Sequence, residues 1–130
     1  MFKKLLISTI LLLFITVGCL ATHNIKWQLY DNGIALAQKE NKKVFIYFYA
    51  EWCHYCQKMK SETFKDPAVI KYLDEHFVSI KINIDKNKEL VTKFRVRGIP
   101  NSWFVVGDKK TNFPGYIPAE KFLDVLKKMG

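Results

Sequence analysis

Val44-Phe45-Ile46-Tyr47-Phe48-Tyr49-Ala50-Glu51-Trp52-Cys53-His54-Tyr55-Cys56-Gln57-Lys58-Met59-Lys60 is the stretch whose reading decides the fold. Its first seven residues are apolar or aromatic without a break, and the β-branched and aromatic side chains among them suit a strand. No polar residue alternates to mark a wet face, so the strand is expected at the centre of a sheet, covered on both sides. From Cys56 onward, Gln57, Lys58, Met59 and Lys60 are good helix formers as far as about Phe64. The two cysteines therefore belong at a strand-to-helix junction.

Upstream of this stretch, Asp31 is expected to cap a helix running through Ile34, Ala35, Leu36 and Ala37 to about Glu40, with Trp27, Leu29 and Tyr30 packing beneath it. Asn41-Lys42-Lys43 then breaks the pattern. Downstream, Asp66 and Pro67 supply a cap followed by proline at the first helical position, starting a helix through Val69, Ile70, Tyr72 and Leu73 to about Glu75. Phe77 to Asp85 reads as a strand and Lys88 to Phe94 as a short helix. After the interruption at Gly98-Ile99-Pro100 come a strand from Ser102 to Val106, a turn at Gly107-Asp108-Lys109-Lys110 and a strand near Thr111 to Pro114. A last helix, from about Pro118 to Met129, puts Phe122, Val125, Leu126 and Met129 on one face to pack on the sheet. The order α-β-α-α-β-α-β-β-α, without repeats or low-complexity linkers, predicts a single α/β domain.

The 130 residues are 49% hydrophobic, 15% aromatic and 25% charged, the balance of one packed domain. At the N-terminus, Lys3 and Lys4 precede an almost unbroken apolar run from Leu5 to Val17, the layout of an export signal. Residues 1–21 are read as a signal peptide or lipoprotein signal or anchor, and residues 22–130 as the domain. Thr16-Val17-Gly18-Cys19 shares its Gly-Cys end with a bacterial lipobox but has Thr where Leu is usual. Cys19 is thus a candidate lipidation site and membrane tether, and it is lost if cleavage falls after Ala21. Export implies a periplasmic or other extracytoplasmic location. The net charge of +9 is spread along the chain with no dense basic tract, which argues against nucleic acid and suits acidic partners or an anionic membrane surface.

Of three cysteines, two form the pair Cys53-His54-Tyr55-Cys56. A disulfide closing so short a loop removes little unfolded-state entropy, so chemistry explains the pair better than stabilisation does. A thiolate is the nucleophile in thiol-disulfide exchange, and a helix N-terminus favours that anion through its unpaired N–H groups and dipole. Cys53 is placed to attack and Cys56, one turn behind, to resolve. Protonated His54 would favour the anion further and make the disulfide more oxidising. A soft-metal carrier such as one for Cu(I), using the two thiolates and His54, is the alternative of another class. A closed zinc site lacks a second ligand pair, and haem attachment fails because residue 57 is Gln.

The sequence resembles the thioredoxin superfamily through Tyr49-Ala50-Glu51-Trp52-Cys53-His54-Tyr55-Cys56 and Val96-Arg97-Gly98-Ile99-Pro100. Gly115-Tyr116 and the helix with Phe122 and Leu123 look like the family's last strand and helix, so the resemblance covers residues 27–129. Within the superfamily, Cys56 through Val69 resembles the C-terminal, electron-passing domain of the transmembrane reductase DsbD and small exported relatives. The resemblance implies a thioredoxin-like fold, with a central mixed sheet flanked by helices, and an oxidoreductase working without a cofactor beyond its redox-active disulfide. It also implies a cis Pro100 facing the cysteines, with the Ile99 backbone offered to a substrate strand. Trp52 and Tyr55 are candidate partner-contacting residues. Where many thioredoxins carry a buried Asp on the central strand this chain has Tyr47, leaving water, Glu51 or no dedicated group to move the proton of Cys56. The expected function is reduction of disulfides in exported proteins by a monomer, fed by a membrane thiol reductase. Ile99 favours that direction, and a dithiol oxidase is the alternative of the same fold.

Overall fold

The computed structural model describes residues 23–130, so the proposed signal at 1–21 and Cys19 lie outside the described residues. The apolar run forms β2 (Lys43–Tyr49), the middle strand of a five-stranded sheet. On one side it pairs in parallel with β3 (Phe77–Asn83), from Lys43 opposite Phe77 to Tyr49 opposite Asn83. On the other it pairs antiparallel with β4 (Asn101–Val106), which is followed by the antiparallel edge strand β5 (Lys109–Pro114). A two-residue strand, β1 (Trp27–Gln28), closes the far edge alongside β3. The spatial order is β1-β3-β2-β4-β5.

Because side chains alternate across a strand, β2 feeds two cores. Phe45 and Tyr47 face one layer, with Met59, Phe64, Val69, Leu73, Phe104, Phe122 and Leu126. Val44, Ile46 and Phe48 face the other, with Ala37, Val78, Ile80, Ile82 and Phe94. The first layer is built from α2 (His54–Ser61), a 3-10 turn (Thr63–Lys65), α3 (Pro67–His76) and α5 (Ala119–Met129). The second rests on α1 (Tyr30–Glu40) and the end of α4 (Lys88–Lys93). Edge-on aromatic contacts knit the first layer, with Phe64 against Tyr47 at 4.7 Å and Phe122 against Phe45 at 5.4 Å between ring centroids. In the last helix, Phe122 and Leu126 are fully buried while Val125 and Met129 are half-buried.

Several boundaries differ from the sequence expectation. Asp31 is not the cap of α1; the helix starts at Tyr30 with Leu29 at the N-cap and no side-chain cap bond, leaving Asp31 in the first turn near the positive end of the dipole. Leu29 does not pack beneath the helix but is 74% exposed, whereas Trp27, held by the β1 pairing, reaches the first core. The cysteine helix stops at Ser61 instead of reaching Phe64, and the chain tightens into the 3-10 turn, whose buried Thr63 donates its hydroxyl to the Ile117 carbonyl at 2.6 Å. Lys109 and Lys110 belong to β5, not to the turn, because they pair with Val106 and Val105. Asp66 caps α3, its carboxylate accepting the N–H groups of Ala68 and Val69 at 3.0 Å.

α1 lies so close to the sheet that a Cβ at Gly33 would run into the side chain of fully buried, β-branched Ile80. Gly33→Ala is expected to lower stability by about 1–3 kcal/mol through overpacking, despite alanine's better helix propensity; a urea midpoint at or above wild type would contradict this close packing. Asp66→Ala is expected to cost about 1 kcal/mol by leaving two N–H groups uncapped. Burial, and then the proximity of Tyr49, pushes the Tyr47 hydroxyl well above the ordinary 10.0 of a phenol. The unfolded chain therefore releases that proton first, and the stability it reflects, intact below about pH 10, is lost as the pH climbs toward the raised value. Tyr47→Phe removes this contribution, so between pH 8 and pH 11 the urea midpoint of wild type should fall further than that of the variant. Parallel declines would contradict the assignment.

Candidate functional site

The site grows from the C-terminal end of β2. Ala50 is fully buried, and the Cys53 N–H closes a turn onto its carbonyl at 3.3 Å. Cys53 is then the N-cap of α2, with extended backbone, and its sulfur accepts the Cys56 N–H at 3.2 Å. Cys53 and Cys56 are joined as a disulfide with their Cα atoms 5.2 Å apart. Both are buried, in an apolar collar with Ala50, Tyr49, Ile84 and Ile99. A sulfur at a helix N-cap faces N–H groups that have no partner inside the helix, which is the setting that stabilises a thiolate once the disulfide opens.

The loop before β4 closes the other side. Ile99 packs against the cysteine pair, and the Ile99–Pro100 peptide is cis. The Pro100 carbonyl accepts the Gly115 N–H at 2.8 Å, at a point where Gly115 has a positive φ of 90°. Around the pair lies an aromatic rim. Trp52 is 70% exposed, with its indole N–H donated to the Asp85 carboxylate at 2.8 Å. Tyr55 is 56% exposed, and exposed His54 meets its ring edge-on at 5.4 Å. Thus the structure brings together Trp52, Cys53, His54, Tyr55, Cys56, Ile99 and Pro100.

Behind Cys56, a small cleft of about 90 Å³ is lined by Trp27, Tyr47, Tyr49, Glu51, Cys56 and Lys81 among others. The Tyr47 and Tyr49 rings stack at 5.9 Å, and the Lys81 ammonium lies 5.7 Å from the Tyr49 ring. Burial, and then the Glu51 charge, holds the Tyr49 hydroxyl above its ordinary value. Tyr47 donates its hydroxyl to the Cys56 carbonyl at 3.5 Å. Its raised pKa keeps it a neutral hydroxyl that donates to that carbonyl. Tyr116, not singled out as a site residue by the sequence reading, donates to the Glu62 carboxylate at 2.5 Å, a bond that raises its own pKa. Asp85, Glu62 and Tyr116 went unnoticed as site neighbours because they lie 33 or 54 residues from their partners, beyond any local spacing signal. Among the described residues, no group of three or more His, Cys, Asp and Glu side chains is placed to hold a metal ion, and no helix is long and apolar enough to cross a membrane.

A family model described as a thioredoxin-like domain matches residues 30–130. A thiol:disulfide interchange protein DsbD from Vibrio vulnificus is 32% identical over 104 residues, covering 74% of this chain and 17% of that protein. The protein disulfide isomerase-like 5-3 of Oryza sativa is 28% identical over 78% of this chain and 24% of its own length. The chain therefore spans less than a quarter of either relative. Among solved structures, a thioredoxin from Thermus thermophilus is 30% identical with a TM-score of 0.70, covering 81% of this chain and 86% of that one. The oxidised C-terminal domain of DsbD from Neisseria meningitidis is 27% identical with a TM-score of 0.63, over 75% of this chain and 89% of that one. With that match over residues 30–130, a five-stranded sheet in this order and a Cys-X-X-Cys pair at the head of α2, the chain belongs to the thioredoxin-like domain family.

Proposed function

We propose that this chain is an exported reductase of protein disulfides. The observation that carries the reading is the Cys53 sulfur at the N-cap of α2, accepting the Cys56 N–H at 3.2 Å. In the reduced protein, the Cys53 thiolate attacks one sulfur of a partner's disulfide; the new bond joins Cys53 to that sulfur, and the other partner sulfur leaves as a thiolate and takes up a proton. Cys56 then loses its proton and attacks the Cys53 sulfur. The intramolecular disulfide forms, the mixed disulfide breaks, and the second partner thiol is released. Two electrons and two protons have passed to the partner.

Ile99 lies against the pair and, with the cis Pro100 that follows it, would align the partner's strand, while exposed Trp52 and Tyr55 would offer it aromatic surface. Since Tyr47 is a neutral donor, the proton of Cys56 leaves through water in the cleft or through Glu51. Returning Cys53–Cys56 to the dithiol state requires an outside dithiol, for which a membrane thiol reductase is the fitting donor, in keeping with the similarity to DsbD. Residues 1–21 direct export in this reading, either as a cleaved signal or as a tether through Cys19 or an uncleaved anchor, and the domain acts as a monomer.

Reduction of insulin by the dithiol form is expected for wild type and lost by at least about 10³-fold in Cys53→Ser, since no other group supplies the attacking sulfur. Cys56→Ser should instead accumulate a mixed disulfide with insulin, visible by non-reducing electrophoresis and released by dithiothreitol. Full insulin reduction by Cys53→Ser would exclude exchange. Equilibration against glutathione reads the direction: a potential near the about −270 mV of thioredoxin supports reduction, whereas one near the about −120 mV of DsbA would make the chain an oxidase.

A further inference from the structure

Tyr116 lies outside the cysteine turn in sequence and beside it in space. Its segment, between β5 and α5, is pinned at both ends, by the Gly115 N–H on the Pro100 carbonyl at 2.8 Å and by the Thr63 hydroxyl on the Ile117 carbonyl at 2.6 Å. Tyr116 itself is held from three directions by the cysteine helix and its end. Its hydroxyl donates to Glu62 at 2.5 Å, the Lys58 ammonium sits 4.7 Å from its ring centroid, and the Tyr55 ring lies 6.2 Å away. Tyr55, between the two cysteines, is 56% exposed. The two rings thus bridge the cysteine turn and the β5–α5 segment, which Gly115 ties to the Pro100 carbonyl.

We propose that Tyr116 is a specificity-determining residue, forming with Tyr55 an aromatic ledge that takes an apolar side chain next to the reacting cysteine in a partner's extended segment. The proposal rests on the reading that Cys53 exchanges with protein disulfides. Three constraints favour an apolar neighbour. The Tyr116 hydroxyl is committed to Glu62 and the Lys58 charge rests over the ring, so the Tyr116 side of the ledge has little hydrogen-bonding capacity left to satisfy a polar side chain. Rings already fixed by their own neighbours lose little freedom on binding, and immobile aromatic anchors carry much of the affinity at protein surfaces. The ledge also begins beside the cysteine pair, at Tyr55 in the first turn of α2, and the pair's own neighbours Ala50, Ile84 and Ile99 are apolar. Small disulfides without a flanking chain do not reach it.

The test mixes the reduced full chain with excess of each of two disulfide-linked peptides, identical but for Leu or Ser beside the cysteine, or of the small disulfide DTNB, and reads KM and kcat as the half-saturation and limiting rate of the single exchange that oxidises the chain. Wild type should prefer the Leu peptide through KM. Tyr116→Ala should raise KM for that peptide about tenfold, the order expected for losing one aromatic anchor, and erase the preference, with kcat on the peptide and the DTNB rate holding level. Tyr116→Phe, which keeps the ring, should keep the preference, and exposed Tyr55→Ala, which does not depend on the Glu62 bond to fold, should weaken it. An unchanged Leu preference in both Tyr116→Ala and Tyr55→Ala would overturn the ledge, as would a fall in the DTNB rate matching the fall on the peptide. Failure of wild type to reduce DTNB or either peptide would instead sink the exchange reading beneath it.

Discussion

The bond from the Cys56 backbone N–H to the Cys53 sulfur is the contact on which the rest depends. A helix leaves its first N–H groups without internal partners, and most proteins meet them with an oxygen from Ser, Thr, Asp or Asn. Here sulfur takes that place. The same geometry that satisfies the helix start also makes the charged sulfur easier to form, so one contact serves both folding and chemistry. It requires that α2 begin at His54 and that the strand before it be immobile.

The sheet supplies that immobility. β2 is flanked on both edges and covered on both faces, with Phe45, Ile46 and Phe48 fully buried, so the end of the strand is among the best-anchored points in the molecule. The backbone leaves it through buried Ala50 and turns at once into the cysteine helix. The second half of the site comes from the antiparallel neighbour β4, whose preceding loop is thereby carried to the same end of the sheet as the cysteines. Gly115, at the end of β5, ties that loop down. Three separate stretches of chain converge because three adjacent strands begin or end there.

Much of this was legible in the residues. The unbroken apolar run of β2 carries its own central position, and the Asp66-Pro67 start of α3 is local chemistry that needs no tertiary help. The cysteine pair announced the site, and the Gly98-Ile99-Pro100 motif announced its second wall. What could not be read was set by distant contacts. The cap of α1 falls at Leu29 and not at Asp31 because the strand pairing of Trp27 and Gln28 with β3 fixes where the chain turns, and two residues are too few to show a period. The clamp on Tyr116 joins side chains far apart in sequence whose types suggest nothing in isolation. Tyr47 was visible as a departure from the usual Asp, but its role as a neutral donor follows from how deeply the surrounding aromatics bury it.

Cys53 and Cys56 differ in their surroundings: the Cys53 sulfur receives an N–H at the helix start, and Cys56 sits one turn inward with the Tyr47 phenol on its backbone carbonyl. The proposal that Cys53 attacks and Cys56 resolves rests on that asymmetry. Its most direct measurement is the pH dependence of alkylation of Cys53 in the reduced, folded protein, followed by mass spectrometry of the modified peptide. A midpoint within the range of about 3.5–7.5 found for cysteines at helix N-termini, with Cys56 reacting far more slowly at pH 7, is the predicted result. A Cys53 midpoint at or above the about 8.5 of a free thiol would contradict the account.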